Sequence, residues 1–210
     1  MPPLPKCRVT ESLPFVTTGL NYLGPLYVKD GTVTQKVWVC LFTCLSTRAI
    51  HLELVADMSA DQFLLCLQRF IARRGKPSRI ICDNASQFKL VHSTVDKMWK
   101  RVTMAKDVIT YVSDKNIQWS FITERAPWRG GFYERLVRLV KQALRKTLGK
   151  ICLTVIQLQT VLCEFEAVLN SKPLAYVRSN FESRYAITPA PFLSLNVNTG
   201  TPPLNQEEGA

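Results

Sequence analysis

The sequence has no apolar run long enough to cross a bilayer. Its longest run, from Val37 to Phe42, is far shorter than the ~20 residues that a membrane-spanning helix needs. The opening residues, Met1 to Lys6, lack the apolar segment of a secretory signal. These two absences predict a soluble, intracellular protein without a membrane partner.

Metal-binding and nucleotide-binding motifs are also missing. The chain has two histidines, His51 and His92, and seven cysteines without a Cys-x-x-Cys pair, which argues against a structural zinc site and against a disulfide framework. Most of the cysteines lie in apolar segments, so we interpret them as buried, reduced thiols. No glycine-rich phosphate loop occurs, and no small-molecule cofactor is therefore predicted.

Acidic residues are scarce relative to basic ones. There are 27 Lys and Arg against 16 Asp and Glu, which gives a formal net charge of +11 in a chain of 210 residues. A folded chain this basic usually binds a polyanion, most often a nucleic acid. The hydrophobic fraction of 47% is that of a globular protein.

The hydrophobic pattern predicts a single domain over residues 15–195, between an N-terminal linker (1–14) and a flexible tail (196–210). Strands are predicted at 15–28, 37–42, 49–55, 79–82 and 117–122 from apolar runs and alternation. Helices are predicted from Ser59 to Gly75, over 91–113, from Phe132 to Leu148, and from Thr154 to a point before Pro173. Capping boxes mark the starts of the first and last of these, Ser59 with Gln62 and Thr154 with Gln157. The last helix carries an apolar stripe of Leu158, Val161, Leu162, Phe165, Val168 and Leu169.

The order of these elements indicates an α/β fold. Three strands joined by short turns predict an antiparallel meander, and the alternating strands and helices that follow add two further strands. The predicted architecture is a five-stranded mixed sheet with helices on both faces.

Two acids stand at positions that suit chemistry. Asp83 follows an apolar strand, and strand ends are favoured places for functional side chains. Glu134 lies in the first turn of a predicted helix behind Gly130 and Gly131. Each also has an ordinary interpretation, since Asp-Asn is a common turn and a first-turn Glu complements the helix dipole.

The face of the helix that carries Glu134 is basic. Glu134, Arg138, Lys141 and Arg145 recur at helical spacing on one side, and the apolar residues lie on the other. A carboxylate at the head of a row of cations suits a metal site beside a phosphate track. A solvated face with i, i+4 ion pairs explains the row equally well.

Several ordered segments resemble the catalytic core of retroviral-type integrases, most closely the branch carried by BEL/Pao-type LTR retrotransposons. The resemblance spans nearly all of residues 10–195. It rests on six segments: Asn21 to Leu26, Thr47 to Leu54, Cys82 to Phe88, Ala126 to Glu134, Glu166 to Leu174, and Ile187 to Ala190.

The resemblance implies a ribonuclease-H-like fold and a two-metal site. In that family two Asp and one Glu hold Mg²⁺ or Mn²⁺ for phosphodiester cleavage and strand transfer on DNA. Asp83 matches the second carboxylate and Glu134 the third. The resemblance also implies a homodimer, DNA as partner, and a nuclear location if the protein is functional. The family's zinc module and C-terminal barrel are not expected in this chain.

The sequence departs from the family at position 21, where Asn21 replaces the first catalytic Asp. A neutral amide oxygen binds Mg²⁺ weakly, so the site loses a charge. No motif supports Asp30, Glu53 or Asp57 as a substitute. A milder departure is Ala85, where the family usually has Gly. The expected result is impaired or absent strand transfer.

Basic and aromatic residues near Glu134 are candidates for DNA contact. They are Arg129, Arg138, Lys141 and Arg145, with Trp128 as a candidate for stacking on a base or for packing on the sheet. The cations at 73–76 are interpreted as a solvated helix end. Two functions stay open: a weakened integrase core, and a catalytically dead module that binds DNA or self-associates.

Overall fold

A computed structural model describes residues 11–82, 104–114, 116–121, 131–149, 151–178 and 184–193. The strands are β1 (Thr17–Asp30), β2 (Val33–Cys44), β3 (Ile50–Val55), β4 (Arg79–Cys82), β5 (Gln118–Phe121), β6 (Ala175–Arg178) and β7 (Arg184–Ile187). The helices are α1 (Ala60–Arg74), α2 (Lys106–Asp114), α3 (Gly131–Leu148), α4 (Val155–Asn170) and the short α5 (Ala190–Leu193).

The main sheet has five strands in the order β3-β2-β1-β4-β5. β1, β2 and β3 pair antiparallel, whereas β4 runs parallel to both β1 and β5. This mixed sheet, with helices on both faces, confirms the predicted fold. β6 and β7 form a separate antiparallel hairpin that the sequence analysis did not predict.

Side chains of the long β1–β2 hairpin enter two hydrophobic cores alternately, one on each face of the sheet. Leu20, Cys40 and Phe42 enter one cluster, while Leu23, Val39 and Leu41 enter the other. This division follows from the two-residue period of a strand, which directs neighbouring side chains to opposite faces. The first core lies under α1 and α2, and the second lies under α3 and α4.

A local irregularity interrupts β1 beyond its centre. The register with β2 shifts between Leu23 and Leu26, and the Gly24–Pro25 peptide bond is cis. Gly24 has φ +136°, and a Cβ there would lie 2.9 Å from Cδ1 of Trp38. Glycine therefore suits this position for both its backbone and its small size.

The first core is built around aromatic rings. Phe42 and Phe70 stack with centroids 4.1 Å apart, and Phe15 meets Phe70 edge-on at 5.3 Å. Ser59 caps α1 as predicted, because its side chain accepts a hydrogen bond from the backbone N–H of Gln62. The Ser59 cap and the stacked rings of Phe42 and Phe70 hold α1 against β2 and β3.

The second core receives α3 through Val140 and Leu144, both buried, which confirms the predicted apolar side of this helix. α4 begins at the predicted capping box of Thr154 and Gln157 and buries Leu158, Leu162 and Leu169. Val168 was assigned to the same apolar stripe, but its side chain is 61% exposed. That assignment is wrong, since Val168 lies on the outer side of the helix.

The thiols divide into two groups. Cys40, Cys44, Cys66 and Cys82 are free and buried, as predicted. Burial raises the pKa of the Cys40 thiol, so it stays protonated and packs as a small apolar group. Cys152 and Cys163 are exposed, which corrects the prediction for these two.

Other predictions fall partly outside the described residues. Of the helix predicted over 91–113, the described part is α2 from Lys106 to Asp114. The boundaries of the linker, domain and tail at 14, 195 and 196 stay predictions. No helix among the described residues is long and apolar enough to span a membrane.

Candidate active site

The candidate site begins at the centre of β1. Asn21 lies opposite Leu41 of β2, and on the other side of β1 the parallel pairing with β4 ends at Leu20 and Cys82. The carboxyl end of β4 therefore lies beside the residue that precedes Asn21. Asp83, the next residue of the chain, lies outside the described residues.

The side chain of Asn21 lies on the sheet face that α3 covers. Side chains two residues apart on a strand share one face, so Asn21 lies on the same face of β1 as Gly19 and Leu23. Leu23 belongs to the buried cluster that contains Val140 and Leu144 of α3. Helix α3, which carries Glu134 in its first turn, thus packs on the same face of the sheet as Asn21.

Close packing next to Asn21 depends on Gly19. Gly19 faces Thr43 across β1 and β2, and the Thr43 hydroxyl donates to the Gly19 carbonyl at 3.3 Å. A Cβ at Gly19 would approach Thr43 Oγ1 to 2.5 Å. The absence of a side chain at Gly19 therefore lets β2 keep its register beside the candidate site.

The amide of Asn21 is not satisfied by the described part of the protein. Its Nδ2 atom is buried and has no hydrogen-bond partner among the described residues. An unpaired buried polar group costs about 1–3 kcal/mol, so the Nδ2 atom of Asn21 is a candidate for contact with a group outside the described residues. The indole nitrogen of Trp38 is in the same condition, but Trp38 packs against the opposite core.

The backbone of α3 places the basic row as predicted. Glu134 is in the first turn of the helix, although its side chain lies outside the described part. Arg138 and Arg145 are exposed, and Lys141 is half-buried. Arg138 and Arg145 therefore lie on the exposed side of the helix, and Lys141 lies at the border between that side and the buried side of Val140 and Leu144. Trp128 and Arg129 lie outside the described residues.

The described residues alone do not form a metal site. No group of three or more His, Cys, Asp and Glu among them could hold an ion. Asn21 is the one described member of the predicted triad, and its amide offers a neutral oxygen where a divalent ion prefers a carboxylate. The other two predicted ligands, Asp83 and the side chain of Glu134, lie outside the described part of the chain.

The acids considered as substitutes for Asn21 do not compensate in the described structure. Glu53 is 2% exposed and is held by His51 at 3.0 Å and by Arg69 at 2.6 Å, at the far edge of the sheet. Asp57 accepts a hydrogen bond from the backbone N–H of Ser59 just before α1. Asp30 ends β1, far along the strand from Asn21.

Sequence reasoning missed a buried polar cluster at this far edge. His51 bonds to Glu53 and, across 115 residues of chain, to Glu166 of α4 at 3.1 Å. Arg73 and Arg74, interpreted as a solvated helix end, pair instead with Glu53 and Glu166. The available signal was Glu166 between the apolar residues Phe165 and Leu169, where a charged side chain needs a partner.

Comparison with solved structures shows the fold of integrase catalytic cores. The magnesium-bound HTLV-2 integrase core in its dimeric form has 15% sequence identity and a TM-score of 0.52, over 80% of this chain and 93% of that one. The bovine immunodeficiency virus integrase core has 16% identity and a TM-score of 0.56, over 85% and 93%.

A larger assembly contains the same fold. The chain of a simian T-cell lymphotropic virus intasome, in complex with PP2A regulatory subunit B56 gamma, has 13% identity and a TM-score of 0.60. The match covers 99% of this chain and 64% of that one. No protein-family model matches the sequence, and no curated protein does so either.

Replacing Asn21 by Asp should make folding depend on Mg²⁺. Without metal the Asn21→Asp variant should be less stable than the parent, because a partly buried carboxylate has no described cation beside it. Mg²⁺ at ten times its dissociation constant should then restore about 1.4 kcal/mol. Thermal unfolding with increasing MgCl₂ measures this gain.

Asn116→Asp is the matched control, since Asn116 is exposed and lies away from Asn21, between α2 and β5. The Asn116→Asp variant adds the same negative charge at a position where no metal site is proposed. An equal response of both variants to Mg²⁺ would show that position 21 does not face a metal-binding site.

Proposed function

We propose that this chain is an integrase catalytic core-like domain of the BEL/Pao retrotransposon type, which binds DNA and is impaired in metal-dependent cleavage and strand transfer. The observation that carries the proposal is the position of Asn21, in an integrase-core fold, at the centre of β1 and beside the end of β4. The Nδ2 atom of Asn21 is buried without a described partner, and we propose that Asn21 stands where the family has its first carboxylate.

Chain connectivity supports a common site for three residues. Asp83 follows Cys82 directly in the sequence, and Cys82 is paired opposite Leu20, the residue before Asn21. Glu134 is on α3, the helix that covers the Asn21 face. Asp83 and Glu134 are the proposed ligands of Mg²⁺ or Mn²⁺, and the HTLV-2 core of the same fold was solved with magnesium.

Asn21 determines how much chemistry this site can support. A bound divalent ion would polarise a phosphodiester and lower the pKa of a coordinated water. Asp83 and Glu134 supply two negative charges, whereas Asn21 contributes none, so the proposed site holds an ion more weakly than three carboxylates would. Loss of the second ion and of most activity is the proposed consequence.

DNA binding rests on the outer side of α3. Arg138 and Arg145 are exposed on the helix that begins with Glu134, and the whole chain has a net charge of +11. Cations on one helix face read phosphates without reading sequence. Trp128 and Arg129, just before the helix, are proposed to extend this contact.

The alternative is a catalytically dead module that binds DNA or self-associates. Asn21 favours it, because the family chemistry needs a charged ligand at that position. Retention of both Asp83 and Glu134 favours the weakened enzyme. For the weakened enzyme we propose a nuclear location, where target DNA lies.

Restoring the carboxylate should restore activity. In a metal-dependent end-joining assay the parent protein should be inactive or nearly so, and Asn21→Asp should raise the rate by at least about 100-fold, the effect of an electrostatic catalytic group. The double variant Asn21→Asp with Glu134→Gln should lose this gain. Robust end joining by the parent protein would contradict the proposed impairment.

Removing the α3 cations should reduce the salt dependence of DNA affinity. The change of Arg138 and Arg145 together to Gln should lower the slope of log K against log salt by about 0.9 per lost phosphate contact on duplex DNA. The control is Lys36→Gln with Lys172→Gln, which removes two exposed charges elsewhere. Equal slopes for the two double variants would exclude α3 as the DNA track.

The outer side of α4 is the proposed surface for a homodimer. α4 contains no Lys or Arg although the chain is strongly basic, and it exposes 80% of Ile156 and 61% of Val168. Two such faces can meet through their apolar residues, with Glu164 as the exposed charge on each helix. The HTLV-2 core has a dimeric form.

Introducing a charge into this face should prevent dimerisation. Ile156→Glu should weaken self-association by at least tenfold, about 1.4 kcal/mol, as measured by sedimentation velocity. Val33→Glu is the control, because Val33 is also exposed but lies on the β1–β2 hairpin. A monomeric parent protein, or a dimer that Ile156→Glu leaves intact, would contradict this surface.

A further inference from the structure

The outer edge of β3 is held by side chains of two helices. Asn170 of α4 accepts from the N–H of Ile50 at 2.8 Å and donates to its carbonyl at 2.9 Å. Glu166, one turn earlier on α4, accepts from the N–H of Leu52 at 2.8 Å. Arg69 of α1 donates to the carbonyl of Leu54 at 3.2 Å.

His51 links this edge to both helices. Its Nε2 lies 3.0 Å from Glu53 and its Nδ1 lies 3.1 Å from Glu166. A neutral imidazole has one N–H, so both carboxylates can accept from His51 only when the ring is protonated. The ring is 1% exposed and packs near Phe42 and Phe70, so water cannot readily replace a lost bond.

A second hydrogen-bond pattern is available to the same atoms. The Nε–H of Arg74 lies 3.4 Å from Nδ1 of His51 and can donate to it only when that nitrogen carries no proton. Arg74 also pairs with Glu166 through Nη2. Deprotonation therefore exchanges the partner of His51 Nδ1 from Glu166 to Arg74.

The charged groups around His51 come from three elements. β3 supplies Glu53, α4 supplies Glu166, and α1 supplies Arg74. Arg69 and Arg73 of α1 act through Glu53, at 2.6 and 3.2 Å. Among the described residues, the two carboxylates that contact His51 directly favour its charged form, and Arg74 opposes it.

We propose that His51 is the titratable element of a latch between α4 and the outer edge of β3, which tightens when His51 is protonated and loosens when it loses the proton. The latch consists of His51, Glu53, Glu166 and Arg74. The proposal depends on described contacts alone and is independent of the proposed DNA chemistry.

The direction of the pKa shifts fixes the pH window. Burial by itself lowers the pKa of His51, but hydrogen bonds to Glu166 and Glu53 outweigh it and raise the pKa above 6.5. The stability that this provides is full below pH 6.5 and is lost as pH rises through the folded-state pKa.

The carboxylates act in the opposite direction. Burial raises the pKa of Glu53 and of Glu166, yet hydrogen bonds from His51 and from Arg69 or the Leu52 amide lower both below 4.5. Their contribution is present above pH 4.5 and is lost as pH falls through the lowered values. The latch is therefore tightest in mildly acidic solution, where both glutamates are ionised and His51 is protonated.

The decisive test is a histidine titration by NMR on the full chain, which has only two histidines. His51→Gln and His92→Gln assign the two ring signals, and the signal lost in His51→Gln should titrate above pH 6.5. Glu166→Gln, which keeps an acceptor for the Leu52 amide, should lower that midpoint. A midpoint at or below 6.5, or one unmoved by Glu166→Gln, would overturn the proposal.

Two further measurements separate a latch from ordinary packing. From pH 6 to 8 the equilibrium constant for unfolding should rise for the parent and for His92→Gln, by up to about tenfold for each unit of raised pKa, and it should rise less for His51→Gln. Hydrogen exchange corrected for intrinsic rates should show α4 amides losing protection with pH more than α2 amides. Equal losses in both helices would also overturn the proposal, even if His51→Gln fails to fold.

Discussion

The parallel pairing of β1 with β4 is the constraint on which the candidate site depends. It converts an antiparallel meander into a mixed sheet and brings Cys82 opposite Leu20. Because β1 continues beyond this pair, its centre is flanked by β2 on one side and by the end of β4 on the other. Asn21 occupies this position, and the face of its side chain is decided by strand alternation alone.

Much of the fold could be predicted because apolar periodicity reports burial directly. Val37 to Phe42 predicted the buried part of β2, and Thr154 with Gln157 predicted the start of α4. The strand ends were missed where β2 extends to Val33 through exposed polar residues, which carry no hydrophobic pattern. The β6–β7 hairpin was missed for the same reason, since Ala175 and Tyr176 are exposed.

The candidate site was predicted in a different way, and its assignment to chemistry stays a prediction. Asn21 and the helix that carries Glu134 were placed by ordered motifs, and the structure puts Asn21 and that helix on one face of the sheet. Periodicity could not predict that Arg74 pairs with Glu166, because 92 residues separate them and each is ordinary in its own segment. The segments Thr47 to Leu54 and Glu166 to Leu174, which carried part of the family resemblance, meet in space at the His51 cluster.

The side chains along β3 also limit how copies of this protein can meet. An uncovered outer strand presents free amides and carbonyls that can template the strand of another molecule and lead to sheet growth or aggregation. Here the Asn170 amide bonds to the N–H and the carbonyl of Ile50 as a neighbouring strand would. Glu166 accepts from the N–H of Leu52, and Arg69 donates to the carbonyl of Leu54. Continuous intermolecular sheets are therefore blocked at this border, and contacts there have to be made by helix surfaces.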